Sequence, residues 1–136
     1  MAGWEDVRRT ALALPGTSEQ ARRGQCLWRV GEKLFVWERP LRPSETLALG
    51  AQAPTGPILG ARVEHVGAKE ALIASDPRTF FTTPHFDGHP SVLVLLEAIG
   101  SQELHEVIVE AWLARAPRRL VAQQIEQGLP VWQGRG

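Results

Sequence analysis

Three groups of side chains in this sequence have the type and spacing to do chemistry. The first is cationic. Arg22 and Arg23, Arg29 and Lys33, and Arg39 and Arg42 follow one another in the N-terminal third, and Arg115, Arg118 and Arg119 gather near the C-terminal end. Such groups bind phosphates, because each neutralised phosphate releases condensed counterions. Trp28 and Trp37 interleave with these cations, and an indole can stack on an unpaired base. A large aromatic in a strand serves equally to fill a core, with the cations then simply solvated. Both readings stay open at this point.

The second group is Thr83, His85, Asp87 and His89. Two imidazoles with a carboxylate between them suggest metal binding or acid–base work. His residues four apart share a metal when a helix aligns them, and Pro84, Gly88 and Pro90 argue against a helix. We therefore expect no metal and no cofactor. The segment reads as a loop that Asp87 ties to its own backbone, with a small-molecule or enzymatic site over Thr82–His89 as a weaker alternative. The third candidate is Cys26. A thiol becomes a nucleophile only beside a base and with a lowered pKa; beside Trp28 in an apolar strand it reads as a small buried hydrophobe. No Ser stands in a Gly-x-Ser-x-Gly elbow, and no Gly-rich phosphate loop is present. These patterns point to a binding protein and not to an enzyme.

Charge qualifies the cationic reading. The 136 residues carry 15 Lys and Arg against 15 Asp and Glu. A strongly basic nucleic-acid binder shows an excess. The neutral total hides a segregation, however. Residues 1–44 carry eight basic and five acidic side chains, residues 45–110 three and nine, and residues 111–136 four and one. If the two cationic ends meet in space, a basic face results. The single cysteine excludes an intrachain disulfide and suits a reducing compartment. The opening Met1-Ala2-Gly3-Trp4-Glu5-Asp6 lacks a basic leader and no run reaches membrane-span length, so a cytoplasmic protein without membrane partners is expected.

The elements that must position these groups are legible in outline. The length suits a single domain, expected over residues 1–127, with 128–136 as a loose tail. Trp4, Val7, Ala11 and Leu14 have helical spacing, and Pro15-Gly16 stops the helix. Residues 17–23, Cys26–Val30 and Lys33–Glu38 read as three antiparallel strands, the last two joined by the two-residue turn Gly31-Glu32. Simple alternation puts Phe35 and Trp37 on one face, Leu34 and Val36 on the other. Ser44–Gly50 reads as a short helix capped by Ser44, with a strand as the alternative. Ile58–Glu64 is a strand, Ala68–Ala74 a helix, and Thr79–His89 an irregular surface loop. Val92–Leu96 is an unbroken apolar strand and therefore central. Ser101 caps a long helix whose Leu104, Val107, Ile108, Ala111 and Trp112 form one apolar stripe. Pro117 opens a last helix lined by Leu120, Val121 and Ile125. The expected fold is α+β in two layers, an antiparallel sheet with helices packed on one face.

Several segments resemble the MmcQ/YjbR family of small bacterial proteins. They are Ala11-Leu12-Ala13-Leu14-Pro15-Gly16, the hairpin Trp28 to Trp37, Asp76-Pro77-Arg78-Thr79-Phe80-Phe81 with Thr82 to Gly88, and Glu110-Ala111-Trp112 with Ala116-Pro117-Arg118-Arg119-Leu120. Together they span about residues 4–125. The resemblance implies a two-layer fold similar to secretion chaperones and a DNA-binding role through a double wing of strands and loops. It supplies no catalytic residues. Where members often carry an aromatic just before the last strand, this chain has Ser91. The expectation is thus a monomeric, non-enzymatic protein with DNA as its partner through Arg22, Arg23, Arg29, Lys33, Arg39, Arg42, Arg115, Arg118 and Arg119. The alternative is a chaperone-like module that holds a protein partner on its sheet face.

Overall fold

The computed structural model describes residues 2–126; the expected tail, 128–136, lies outside them. Helix α1 (Trp4–Leu12) leads into strands β1 (Thr17–Arg22), β2 (Gln25–Val30) and β3 (Lys33–Glu38). Helix α2 (Pro43–Leu49), strand β4 (Ile58–Arg62), helix α3 (Val66–Ser75), strands β5 (Phe80–Phe81) and β6 (Ser91–Leu95), and helices α4 (Ser101–Arg115) and α5 (Arg118–Glu126) follow. The six strands form one sheet in the order β1-β2-β3-β4-β6-β5, every pairing antiparallel. The fold is α+β.

The apolar stripe of α4 does what its spacing demands. Leu104, Val107, Ile108, Ala111 and Trp112 are all buried against the sheet, each large side chain contributing roughly 1.5–3 kcal/mol by leaving water. Val7 and Ala11 of α1 join the same core, and Ala68 and Leu72 of α3 with Leu120 and Val121 of α5 pack at its edge. Ile125 does not; it is 60% exposed. The Trp112 indole donates to the Pro15 carbonyl at 3.0 Å, tying α4 to the end of α1.

The opposite sheet face is partly covered too. Ile58, Leu93 and Phe86 form a second, smaller cluster with Trp37, Leu41, Phe81 and Leu95 around it. A β-bulge decides which side chains of β3 reach it. Trp28 pairs with Val36 but the next residue, Arg29, pairs with Leu34, so Phe35 is extra. Phe35 and Val36 therefore both enter the helix-side core, and Trp37 turns to the other face. This corrects the alternation expected for β3. There the Trp37 ring lies over Gly60 so closely that any Cβ at Gly60 would collide with the indole.

Three helix starts differ from expectation. Ser44 does not cap α2: Arg42 is the capping residue and the Glu45 carboxylate accepts its backbone N–H at 2.9 Å. Gly100, not Ser101, precedes α4. Helix α3 starts two residues early because His65 Nδ1 accepts the Ala68 N–H at 3.0 Å. The 79–89 segment is no plain surface loop either. It holds β5 and a 3-10 turn at Pro84–Phe86, and it buries Thr79, Phe80, Thr83 and Phe86.

Candidate nucleic-acid interface

Strand register decides which cations meet. Thr17 pairs with Val30, Val30 with Lys33, Val36 with Ala61, and Arg62 with Ser91. The start of β1, the β2–β3 turn, the end of β4 and the start of β6 therefore lie at one end of the sheet. Helix α4 delivers Arg115 to the same end, where its charge acts on Arg62. The chain then turns at Pro117 into α5, and Leu120 of that helix sits on Gly16, whose carbonyl accepts the Gly31 N–H at 3.0 Å. Arg29 and Lys33, Arg115, and Arg118 and Arg119 thus come from distant stretches of sequence to one end of the fold. Lys33, Arg118 and Arg119 are exposed, and Arg29 is half-buried with one guanidinium N–H donated to the Glu32 carbonyl at 3.3 Å. Glu32 and Glu64 stand at this end as well and trim its charge.

Arg62 joins this group, and the sequence reading did not single it out. It closes an apolar strand, where one cation reads as an ordinary strand terminus. Burial first, and then the Arg115 charge, push its pKa down from the ordinary arginine value, though a guanidinium stays charged at neutral pH. The Nε atoms of Arg62 and Arg115 are both buried, and neither has a hydrogen-bond partner among the described residues. A buried donor without an acceptor costs about 1–3 kcal/mol, and the two guanidiniums are near enough for the charge of one to act on the other.

The other expected cations are elsewhere. Arg22 and Arg23 occupy the β1–β2 turn, at the opposite end of the sheet, with Arg23 at φ 54°. Arg42 lies beyond the far end of β3. Arg39 is not available at all. It is 8% exposed and makes a two-pronged ion pair with Glu45, at 2.9 and 2.7 Å, while its guanidinium lies 5.1 Å from the centre of the Phe86 ring. Its place in the phosphate-binding set is withdrawn: a residue this buried and paired cannot reach a backbone phosphate. Trp28 is excluded as a stacking platform for the same kind of reason. It is 1% exposed, stacked on Trp4, with its N–H donated to Glu19 at 3.0 Å. Trp37 keeps a partly open edge but is fixed against Gly60 and Phe86.

The Thr83–His89 segment is held by buried polar anchors. The Thr83 hydroxyl donates to Glu45 at 3.1 Å. Lys69, 3% exposed, reaches in from α3 and donates to the carbonyls of Phe86 at 2.5 Å and His89 at 3.1 Å. Burial lowers the Lys69 pKa, against an opposing pull from Asp87 and Glu70. His85 and Asp87 point outward, exposed. His89 touches the Ser91 hydroxyl at 3.1 Å, and burial, then Arg62, Lys69 and His85, push its pKa below the ordinary value. Among the described residues no three His, Cys, Asp or Glu side chains come together as a metal site. Burial and Glu38 raise the Cys26 pKa, which keeps the thiol protonated. No helix among the described residues is long and apolar enough to cross a membrane.

Comparison with known proteins agrees with this architecture. The family model described as YjbR matches residues 12–114. The uncharacterized proteins Rv2570 of Mycobacterium tuberculosis and Mb2600 of Mycobacterium bovis are each 53% identical to this chain over 124 residues, covering 89% of it and 94% of their own length. The crystal structure of Deinococcus radiodurans protein DR2400, with the family-model domain DUF419, superposes with a TM-score of 0.62 at 19% identity, over 96% of this chain and 91% of that one. The shared fold and the family match lead to one statement: this chain belongs to the YjbR family.

Proposed function

We propose that the protein binds DNA through its phosphate backbone, without catalysing a reaction, and that the contact surface is the cationic end of the sheet. The observation that carries this reading is the convergence of Lys33, Arg62, Arg115, Arg118 and Arg119 in a chain of zero net charge. Neutral overall charge argues against coating a duplex over the whole surface, and in favour of a few localised phosphate contacts. The half-buried Arg62 and Arg115 and the exposed Lys33, Arg118 and Arg119 make up this cationic end. The lone thiol is held protonated and the Thr83 hydroxyl is committed to Glu45, which favours binding over chemistry.

Affinity for duplex DNA, measured against salt, tests the reading. Three to five contacts predict a log–log slope of roughly −3 to −5, and Lys33→Ala and Arg118→Ala should each reduce it by about one. Arg22→Ala and Arg23→Ala, at the other end of the sheet, should leave it unchanged. Absence of binding at low salt, or a slope indifferent to the first two substitutions, rejects the proposal.

A second reading has one observation behind it. Leu27 and Leu34 are half-buried on the side of β2 and β3 opposite the main core, beside Trp37, which gives that face a modest apolar strip of the kind a protein partner uses. Retained binding of a protein partner after Leu27→Glu would dismiss it.

A further inference from the structure

A cleft of about 620 Å³ opens between α3 and α4, next to the end of β4. Its volume is that of a small-molecule site. Ala71 and Leu72 of α3 face Val107 and Leu113 of α4 across it, so its walls are apolar. An inorganic ion gains little from such walls. One end is different: Arg62 lines the cleft there, and its Nε is buried without a hydrogen-bond partner among the described residues. A carboxylate supplies two acceptor oxygens in the fork geometry that a guanidinium prefers. It would also offset the repulsion that Arg115 exerts on Arg62. Glu64 and Glu110 share the lining, and Glu110 is already engaged. Their negative charge disfavours a diacid or a phosphate dianion more than a single carboxylate.

We propose that this cleft is a binding site for a small monocarboxylic acid with an apolar body, its carboxylate received by Arg62 and its body lying between α3 and α4. The site stands on the cavity and its chemistry alone and does not depend on nucleic-acid binding.

Octanoate is a suitable probe, titrated calorimetrically into the full chain at neutral pH in phosphate-free buffer. The expected result is saturable one-to-one binding. Octanol, which has the body without the charge, and acetate, which has the charge without the body, should each bind roughly tenfold more weakly or worse. Arg62→Gln should weaken octanoate by a similar factor. Ala71 is solvent-exposed on α3, so Ala71→Phe should fold normally while filling the cleft, and it keeps the test valid if Arg62→Gln does not fold. Three results overturn the proposal: no saturable octanoate binding, octanol binding as tightly as octanoate, or octanoate affinity unchanged in Ala71→Phe.

Discussion

Replacing Glu45 by Gln tests the buried pair that anchors the Thr83 segment to the body of the fold. The Arg39 and Glu45 side chains are only 10% and 6% exposed. Burial by itself would raise the Glu45 pKa. The Arg39 guanidinium outweighs it, helped by the Arg42 backbone N–H and the Thr83 hydroxyl, and the pKa falls from 4.5 to about 2. By linkage a depression of that size is worth about 3 kcal/mol. Breaking a buried ion pair by removing one partner costs about 3–5 kcal/mol in general, so the two routes agree at the lower end. The sign is fixed by the direction of the shift. Because the carboxyl is more acidic folded than unfolded, its contribution is complete above pH 4.5 and disappears as the pH falls toward 2. Urea unfolding of the wild type and Glu45→Gln across this range measures it. At pH 7 the variant should be less stable by about 3 kcal/mol, and the gap should close progressively below pH 4.5. A gap under about 1 kcal/mol at pH 7, the value of an exposed pair, refutes the reasoning. So does a gap that stays constant down to pH 3. The double variant Arg39→Met with Glu45→Leu should regain much of the loss, since it leaves no charge stranded in the interior.

Gly60→Ala should destabilise the protein by about 1–3 kcal/mol, because its Cβ meets the Trp37 indole; adding Trp37→Leu should recover part of this in thermal melts. Lys69→Met strands the Phe86 and His89 carbonyls and should cost about 1–3 kcal/mol, with faster amide exchange confined first to 83–90; unchanged exchange there would contradict the anchoring role. His89 should titrate below its ordinary pKa of 6.5 by NMR, and Arg62→Gln should move the midpoint upward. Being depressed in the fold, His89 contributes stability above pH 6.5 that is lost on acidification.

What the amino-acid order reveals here, and what it hides, follows the range of the interactions. The α4 stripe and the β2–β3 turn rest on period and on local turn chemistry, and both were readable. Phe35 departs from simple alternation because a bulge depends on how β2 docks against β3, and alternation within one strand carries no record of it. The 79–89 segment reads as surface loop because its composition is polar and Pro/Gly-rich. What buries it is Lys69 from α3 and Glu45 from α2, separated from it by up to 38 residues.

The same distinction bears on the functional reading. Six cations between Arg22 and Arg42 look like one group in sequence, yet the fold divides them three ways: Arg29 and Lys33 to one end of the sheet, Arg22, Arg23 and Arg42 to the other, and Arg39 into the interior. The group that does form draws on residues 29 to 119 and includes Arg62, from the acidic stretch 45–110. Net charge is thus a poor guide to this protein. An antiparallel sheet in the order β1-β2-β3-β4-β6-β5 superimposes the ends of alternate strands, and it is strand direction, not proximity in sequence, that decides which charges add. Whether those charges meet a phosphate backbone turns on a simple asymmetry: substitutions at Lys33 and Arg118 should flatten the salt dependence, and substitutions at Arg22 and Arg23, equally basic and more exposed to a casual reading, should not.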